Sequence, residues 1–307
     1  MKRRALLSSL AVVALPLAPS VALAADKMKV VATFSVLGDM VGRIGGDQID
    51  LVTIVGPASD TEEYEPTAAD IPRIANARIL FMNGLNDEFE PWLDNLMKQA
   101  RFTGIKAIAT RGAKAISAED EHPIGGRPKA SALDQHAWMD PRNGVVYVKN
   151  IADTLIRADA ANADLYRNRS ASYIKDLRDL HSWALAEIAA VPVSKRRVLA
   201  SHDSLQYLAL AYGITMISIN GWTNKAEPSA ADLARLADQI TRDHVKALFL
   251  DSITDPRAME RIGKETGAVI GGTLYGDALS KPGGEAPTYI DMIRHDVSTL
   301  KAGMRLN

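Results

Sequence analysis

The run Met28-Lys29-Val30-Val31-Ala32-Thr33-Phe34 is apolar almost throughout, as a strand buried on both faces would be. Leu37, Met40, Val41 and Ile44 then recur at three- and four-residue intervals and stop at Gly45-Gly46, which predicts a short helix. The alternation continues. Strands are expected at 51–55, 79–82 and, more weakly, 107–109, with helices near 68–75 and 92–99. It restarts after the middle of the chain with strands at 198–200, 215–219 and 247–250 and a short one at 269–270. Helices are expected there at 204–212, 230–243, 256–266 and 289–301. Strands alternating with helices imply a mainly parallel sheet with helices on both faces, here twice over.

Between the halves lie two helices. The second, from about 163 to 190, carries Tyr173, Ile174, Leu177, Leu180, Trp183, Ala184, Leu185 and Ile188 as one wide apolar stripe, and Pro192 stops it. At about 1.5 Å per residue it would span roughly 40 Å, enough to join two domains as a rigid spine. The expected division is therefore an N-terminal α/β lobe over 25–143, connecting helices over 144–192 and a C-terminal α/β lobe over 193–307. About 280 residues exceed what one core usually holds.

The first 24 residues read as a secretory leader. Lys2, Arg3 and Arg4 precede an apolar run that ends in Ala22-Leu23-Ala24, a small-residue cleavage signal. The chain has no cysteine, which excludes disulfides, thiolate metal sites and a lipid-bearing thiol. A soluble periplasmic protein is expected. The formal net charge of −1 becomes −4 without the three leader cations, which argues against nucleic acid as a partner.

In sheets of this class ligands sit at the carboxyl ends of the strands. Four loops there carry candidate chemistry. One is 56–66, where Glu62, Glu63 and Glu65 surround Tyr64. The second holds His136, the third is Ser201-His202-Asp203, and the fourth contains Asp277. Each has a plain structural explanation by itself: a solvated acidic loop, a histidine bonded within its own turn, a turn aspartate. Together they offer one ligand from each of four distant loops, two per half. Trp138 and Trp222 are candidates for the cleft wall or for the core. His181, His244 and His295 fall away from the strand ends and are read as structural.

The wording of these segments resembles the metal-binding solute-binding proteins of ABC importers, the zinc and manganese group of cluster A-I type. The matching stretches are Y-E-P (64–66), N-G-L (83–85), D-Q-H-A-W-M-D-P (134–141), S-H-D (201–203), E-T-G-A-V-I-G-G-T-L-Y-G-D-A-L-S (265–280) and T-Y-I-D-M-I-R-H (288–295). The resemblance implies two α/β lobes, a rigid connecting helix and one metal in the cleft, held by His136, His202 and Asp277. The family has a further histidine where this chain has Glu62. Either Glu62 replaces it as an oxygen ligand, with Glu63 a competitor, or water completes the site.

Two imidazoles and two carboxylates would suit Zn2+ first and Mn2+ second, bound as transported cargo. The short acidic stretch Glu119-Asp120-Glu121-His122-Pro123 stands where the family's zinc members often carry a histidine-rich loop. The expected partners are the metal ion and an inner-membrane ABC permease, with the protein a monomer and not an enzyme. The alternative is a periplasmic metallohydrolase, with an open zinc position and Glu62 or Glu63 as general base.

Overall fold

A computed structural model describes residues 26–117, 133–219 and 229–307. The expected leader, the Glu119–His122 stretch and Trp222 lie outside the described residues. The first half has strands β1 (Met28–Phe34), β2 (Ile49–Val55), β3 (Ile79–Met82) and β4 (Ile105–Ile108), with helices α1 (Ser35–Gly45), α2 (Asp70–Ala75) and α3 (Leu93–Gln99) between them. All pairings are parallel, in the order β2-β1-β3-β4.

Alternate residues of these strands face opposite layers. Val30, Ala32 and Phe34 point to α1 and the centre of the molecule. Val31 and Leu80 point outward to Ile74 of α2 and to Leu93 and Leu96 of α3.

The second half repeats the plan. Strands β5 (Arg197–Ala200), β6 (Thr215–Ser218), β7 (Ala247–Asp251) and β8 (Val269–Leu274) lie in the order β6-β5-β7-β8, again all parallel. Counting α4 (Pro141–Ala158) and α5 (Ala163–Ala189) between the halves, its helices are α6 (Gln206–Tyr212), α7 (Ala230–Arg242), α8 (Arg257–Thr266) and α9 (Tyr289–Met304). Strand β8 is longer than the two residues expected of it. Gly271-Gly272 interrupts the apolar pattern, yet the strand continues through a register shift opposite Leu248/Phe249, with Gly272 at φ 148°. Val269 and Ile270 are exposed, since β8 is an edge strand.

One buried cluster runs through both halves. It joins the inner faces of the two sheets through α1, α4, α5, α6 and α9, while each outer face has its own smaller core. Helix α5, 27 residues and about 40 Å long, lays Tyr166, Tyr173, Leu177, Leu180, Ala184 and Ile188 into that cluster. Its stripe is narrower than the sequence implies. Leu185 is exposed, and Trp183 is half-buried beneath the Arg294 guanidinium, 4.9 Å from its ring centroid. Helix α4 starts at Pro141, capped by Asp140 accepting the Arg142 N–H at 2.8 Å, so the boundary expected at 143/144 lies in its first turn.

Hydrogen bonds also cross between the halves. Ala58 N–H donates to Leu279 O at 2.8 Å, Leu279 N–H to Ser35 Oγ at 3.0 Å, and Ile116 N–H to the Tyr207 hydroxyl at 3.1 Å. No described helix is long and apolar enough to cross a membrane.

Candidate metal centre

Each of the four loops is fastened before it presents its side chain. After β2, the Asp60 carboxylate accepts the Glu62 N–H at 2.8 Å and turns the chain, and Trp92 Nε1 donates to Thr61 O at 2.9 Å. Glu62 is thereby buried while Glu63 faces solvent. Of the two expected competitors, only Glu62 enters the site.

His136 lies on the approach to a single 3-10 turn, Ala137–Met139, that leads into α4. Asp134, two residues earlier, accepts the His136 N–H at 2.8 Å and sits 2.7 Å from Nδ1 of the same ring. That contact commits Nδ1 to carrying a proton and leaves Nε2 to face the cleft. Asp134 O in turn accepts the Tyr207 hydroxyl at 2.6 Å, which anchors the loop to the other half.

His202 follows β5. Ser201 holds the turn, its N–H donating to Phe249 O at 3.1 Å and its Oγ accepting the Asp251 N–H at 2.8 Å. Asp277 follows β8. Its neighbour Gly276 lies so close to Ser204 that any Cβ would collide with that hydroxyl, so only glycine lets the loop approach this far. Trp138 Nε1 donates to Gly276 O at 2.9 Å.

The four side chains meet. Glu62, His136, His202 and Asp277 each offer one donor atom, all within 4.8 Å of one another, and all four residues are buried. His136 Nε2 is 3.0 Å from Asp277 Oδ1, and His202 Nδ1 is 3.3 Å from Asp277 Oδ2. His136 Nε2 and both Asp277 oxygens are buried without an aligned hydrogen bond among the described residues. Polar atoms left this way in a dry interior fit a shared ion better than they fit each other.

Electrostatics follow from the geometry. Burial would lower the His136 pKa, but Asp277 and Asp134 outweigh it and lift it to about 10. His202 is raised as well, burial again being overcome by Asp277 and Asp251. Burial would raise Asp277, but the two imidazoliums hold it far below the usual carboxylate range. Burial pushes Asp203 up to about 7. The carboxylates facing His136 and His202 thus draw both imidazoles toward the protonated form.

Sequence reasoning missed the residues behind the donors. Asp134 backs His136, Asp251 lies 3.9 Å from His202 Nδ1, and Gln135 Nε2 donates to Glu62 Oε1. Only Asp134 left a signal, a carboxylate two residues from a histidine. Trp138 is fully buried and packs on Phe34 and Phe89 at ring-centroid distances of 4.9 and 5.0 Å, so it belongs to the core beneath the site. His181 meets the Tyr212 hydroxyl at 3.2 Å, His244 occupies a turn at φ 56°, and His295 Nε2 sits 2.9 Å from Thr273 O. None of the three joins the cluster.

Residues 30–303 match the model of the family described as zinc-uptake complex component A, periplasmic. The chain belongs to that family. It is 31% identical over 283 residues to the manganese ABC transporter substrate-binding lipoprotein PsaA of Streptococcus pneumoniae, covering 91% of this chain and 89% of the relative. It is 28% identical over 279 residues to the manganese-binding lipoprotein MntA of Halalkalibacterium halodurans, with coverage again 91% and 89%.

Among solved structures, the Mn-bound periplasmic metal binding protein of Candidatus Liberibacter asiaticus superposes with TM-score 0.77 at 28% identity, covering 91% of this chain and all of that one. The periplasmic zinc binding protein TroA of Treponema pallidum shares the fold, with TM-score 0.82 at 24% identity over 91% of this chain and 99% of that one. The protein is a member of the metal ABC transporter substrate-binding proteins, with their two-lobed α/β architecture. Relatives are named as substrate-binding lipoproteins of metal ABC transporters or as a metal-binding lipoprotein, and not as enzymes, which leaves the hydrolase alternative without support.

Proposed function

We propose that the protein captures one divalent transition-metal ion between its lobes, zinc ahead of manganese, and delivers it to an ABC permease of the inner membrane. Glu62, His136, His202 and Asp277 are the proposed ligands. The observation that carries this is the convergence of four buried donor atoms, one from each of four loops, within 4.8 Å. A tetrahedral zinc site needs donors roughly 3.4 Å apart; the contacts of Asp277 with His136 and His202, at 3.0 and 3.3 Å, are already that close, and no donor pair is more than 4.8 Å apart.

With neutral imidazoles, the two carboxylates cancel a divalent charge. One nitrogen or oxygen from each of four residues suits zinc, while relatives named for manganese and iron keep manganese as the second choice. We place this work in the periplasm and assign it to a monomer, with lobes over 25–143 and 193–307 and connecting helices over 144–192. The continuous core and the hydrogen bonds across the lobes favour small motions, so that loading and release proceed by loosening a loop and not by wide hinge opening.

Elemental analysis of the dialysed protein tests the reading. One equivalent of metal is expected in the wild type, and a large loss in Glu62→Ala but not in Glu63→Ala. A wild-type protein that retains no zinc or manganese and binds neither on titration would refute it.

A further inference from the structure

We propose that Gln135 sets the metal preference of this site by holding Glu62 to a single donor oxygen. The inference rests on the reading of the cluster as a metal site and concerns a residue outside the ligand set.

Gln135 is fully buried, and its Nε2 donates to Glu62 Oε1. Neither partner is placed loosely. Gln135 O accepts Asn83 Nδ2 at 2.9 Å. Asn83 is itself gripped by the Tyr147 hydroxyl, 2.6 Å from its Oδ1, and by Thr110 Oγ1, 2.7 Å from its backbone oxygen. On the other side, Asp60 and Trp92 fasten the loop of Glu62 through its own N–H and through Thr61 O. Two separately braced loops thus press a neutral amide against a carboxylate in a water-poor interior.

The consequence is a count of donors. With Oε1 accepting from the amide, Oε2 is the oxygen that Glu62 gives most readily, and two-oxygen binding is disfavoured. One donor atom from each of the four residues, the set that meets in the cluster, makes four, the number zinc prefers. Manganese gains from additional oxygens. Released from the amide, Glu62 can offer both oxygens and raise the count to five. A lysine or arginine in the same place would also hold the carboxylate, but its charge would oppose the cation. The carboxamide holds without that cost.

The test uses the full mature chain with Gln135→Met, which keeps length and removes the donor, and with Gln135→Leu as a second apolar replacement should the first fold poorly. Zinc and manganese affinities are measured by competition with chromophoric chelators, and cobalt(II) reports coordination through its visible absorption. The expected result is a fall of about tenfold or more in the preference for zinc over manganese, in line with other outer ligands, with cobalt bands weakening as the site leaves four-coordination. An unchanged preference with wild-type cobalt bands overturns the proposal. So does an equal loss of both metals with wild-type bands, which would mark Gln135 as structural only. A wild-type protein that binds no zinc, manganese or cobalt overturns instead the metal-site reading beneath it, and the proposal with it.

Discussion

Asp134 Oδ1 lies 2.7 Å from His136 Nδ1 and fixes that ring so that its Nε2 faces Asp277 Oδ1 at 3.0 Å. The contact joins a residue with no direct role in gripping an ion to one proposed as a ligand. Removing an outer partner of this kind costs metal affinity about 10–100-fold. Asp134→Ala is expected to lose zinc affinity in that range while keeping one-to-one stoichiometry. Affinity within twofold of the wild type would mean that the ring is oriented by its packing against Phe89 and Trp138.

Metal affinity is expected to rise with pH. His136 is lifted to about 10 in the metal-free fold, against an ordinary 6.5, and His202 is raised too. A divalent ion must displace these protons, each worth about tenfold in affinity per pH unit. Titration calorimetry in buffers of different ionisation enthalpy should detect one to two protons (about) released per ion near pH 7. Affinity that stays flat between about pH 6 and about pH 8.5 would contradict this.

The metal-free fold should behave in the opposite sense. A raised folded pKa gives stability that is fully present below the unfolded value of about 6.5 and is lost as pH rises through about 10. Added zinc should therefore raise the melting temperature more at about pH 8.5 than at about pH 6. Equal shifts at the two pH values would count against imidazolium-held closure.

Glu90 is buried and pairs with no cation among the described residues. Burial pushes it up to about 7, although Thr33 Oγ1 and the N–H groups of Asn83 and Gly84 donate to it. Its raised pKa means that the carboxyl destabilises the fold progressively as pH climbs from about 4.5 through 7. In Glu90→Gln the loss relative to wild type should shrink from about pH 5 to about pH 8, read by chemical denaturation. A loss that does not change with pH would place the Glu90 titration elsewhere.

Trp138 tests how the core supports the cleft. Trp138→Ala is expected to cost about 3–5 kcal/mol of stability. Trp138→Phe keeps the packing on Phe34 and Phe89 and loses the bond to Gly276 O, costing about 1–2 kcal/mol. Because Gly276 precedes Asp277, the Phe variant should also lose zinc affinity by about tenfold. Unaltered affinity would separate that hydrogen bond from the site.

The hydrophobic pattern of the chain was enough to place every strand of both sheets, because a parallel strand covered on both faces must be apolar along its length and a covering helix must be apolar on one stripe. Strand β8 was underestimated because Gly271-Gly272 contributes no apolar signal while its backbone still pairs. Leu185 and Trp183 were assigned to the buried stripe of α5 because periodicity reports a face but not how wide a neighbour covers it.

The four proposed ligands and the loops that carry them were likewise legible in the linear order of residues, although His136 lies well past the end of β4 and leads into α4 and not out of a strand. That Glu62 and not Glu63 turns inward was not. It depends on Asp60 accepting a backbone N–H and on Trp92 fastening Thr61, contacts between residues up to 31 positions apart. The braces on the donors, Asp134 with Tyr207 and Gln135 with Glu62, each span 73 positions, and no local spacing encodes them. Periodicity determines which residues are buried and in what element, since burial is a property of each position. Which buried polar groups face one another is decided only when separate loops are brought together, since a hydrogen bond is a property of a pair.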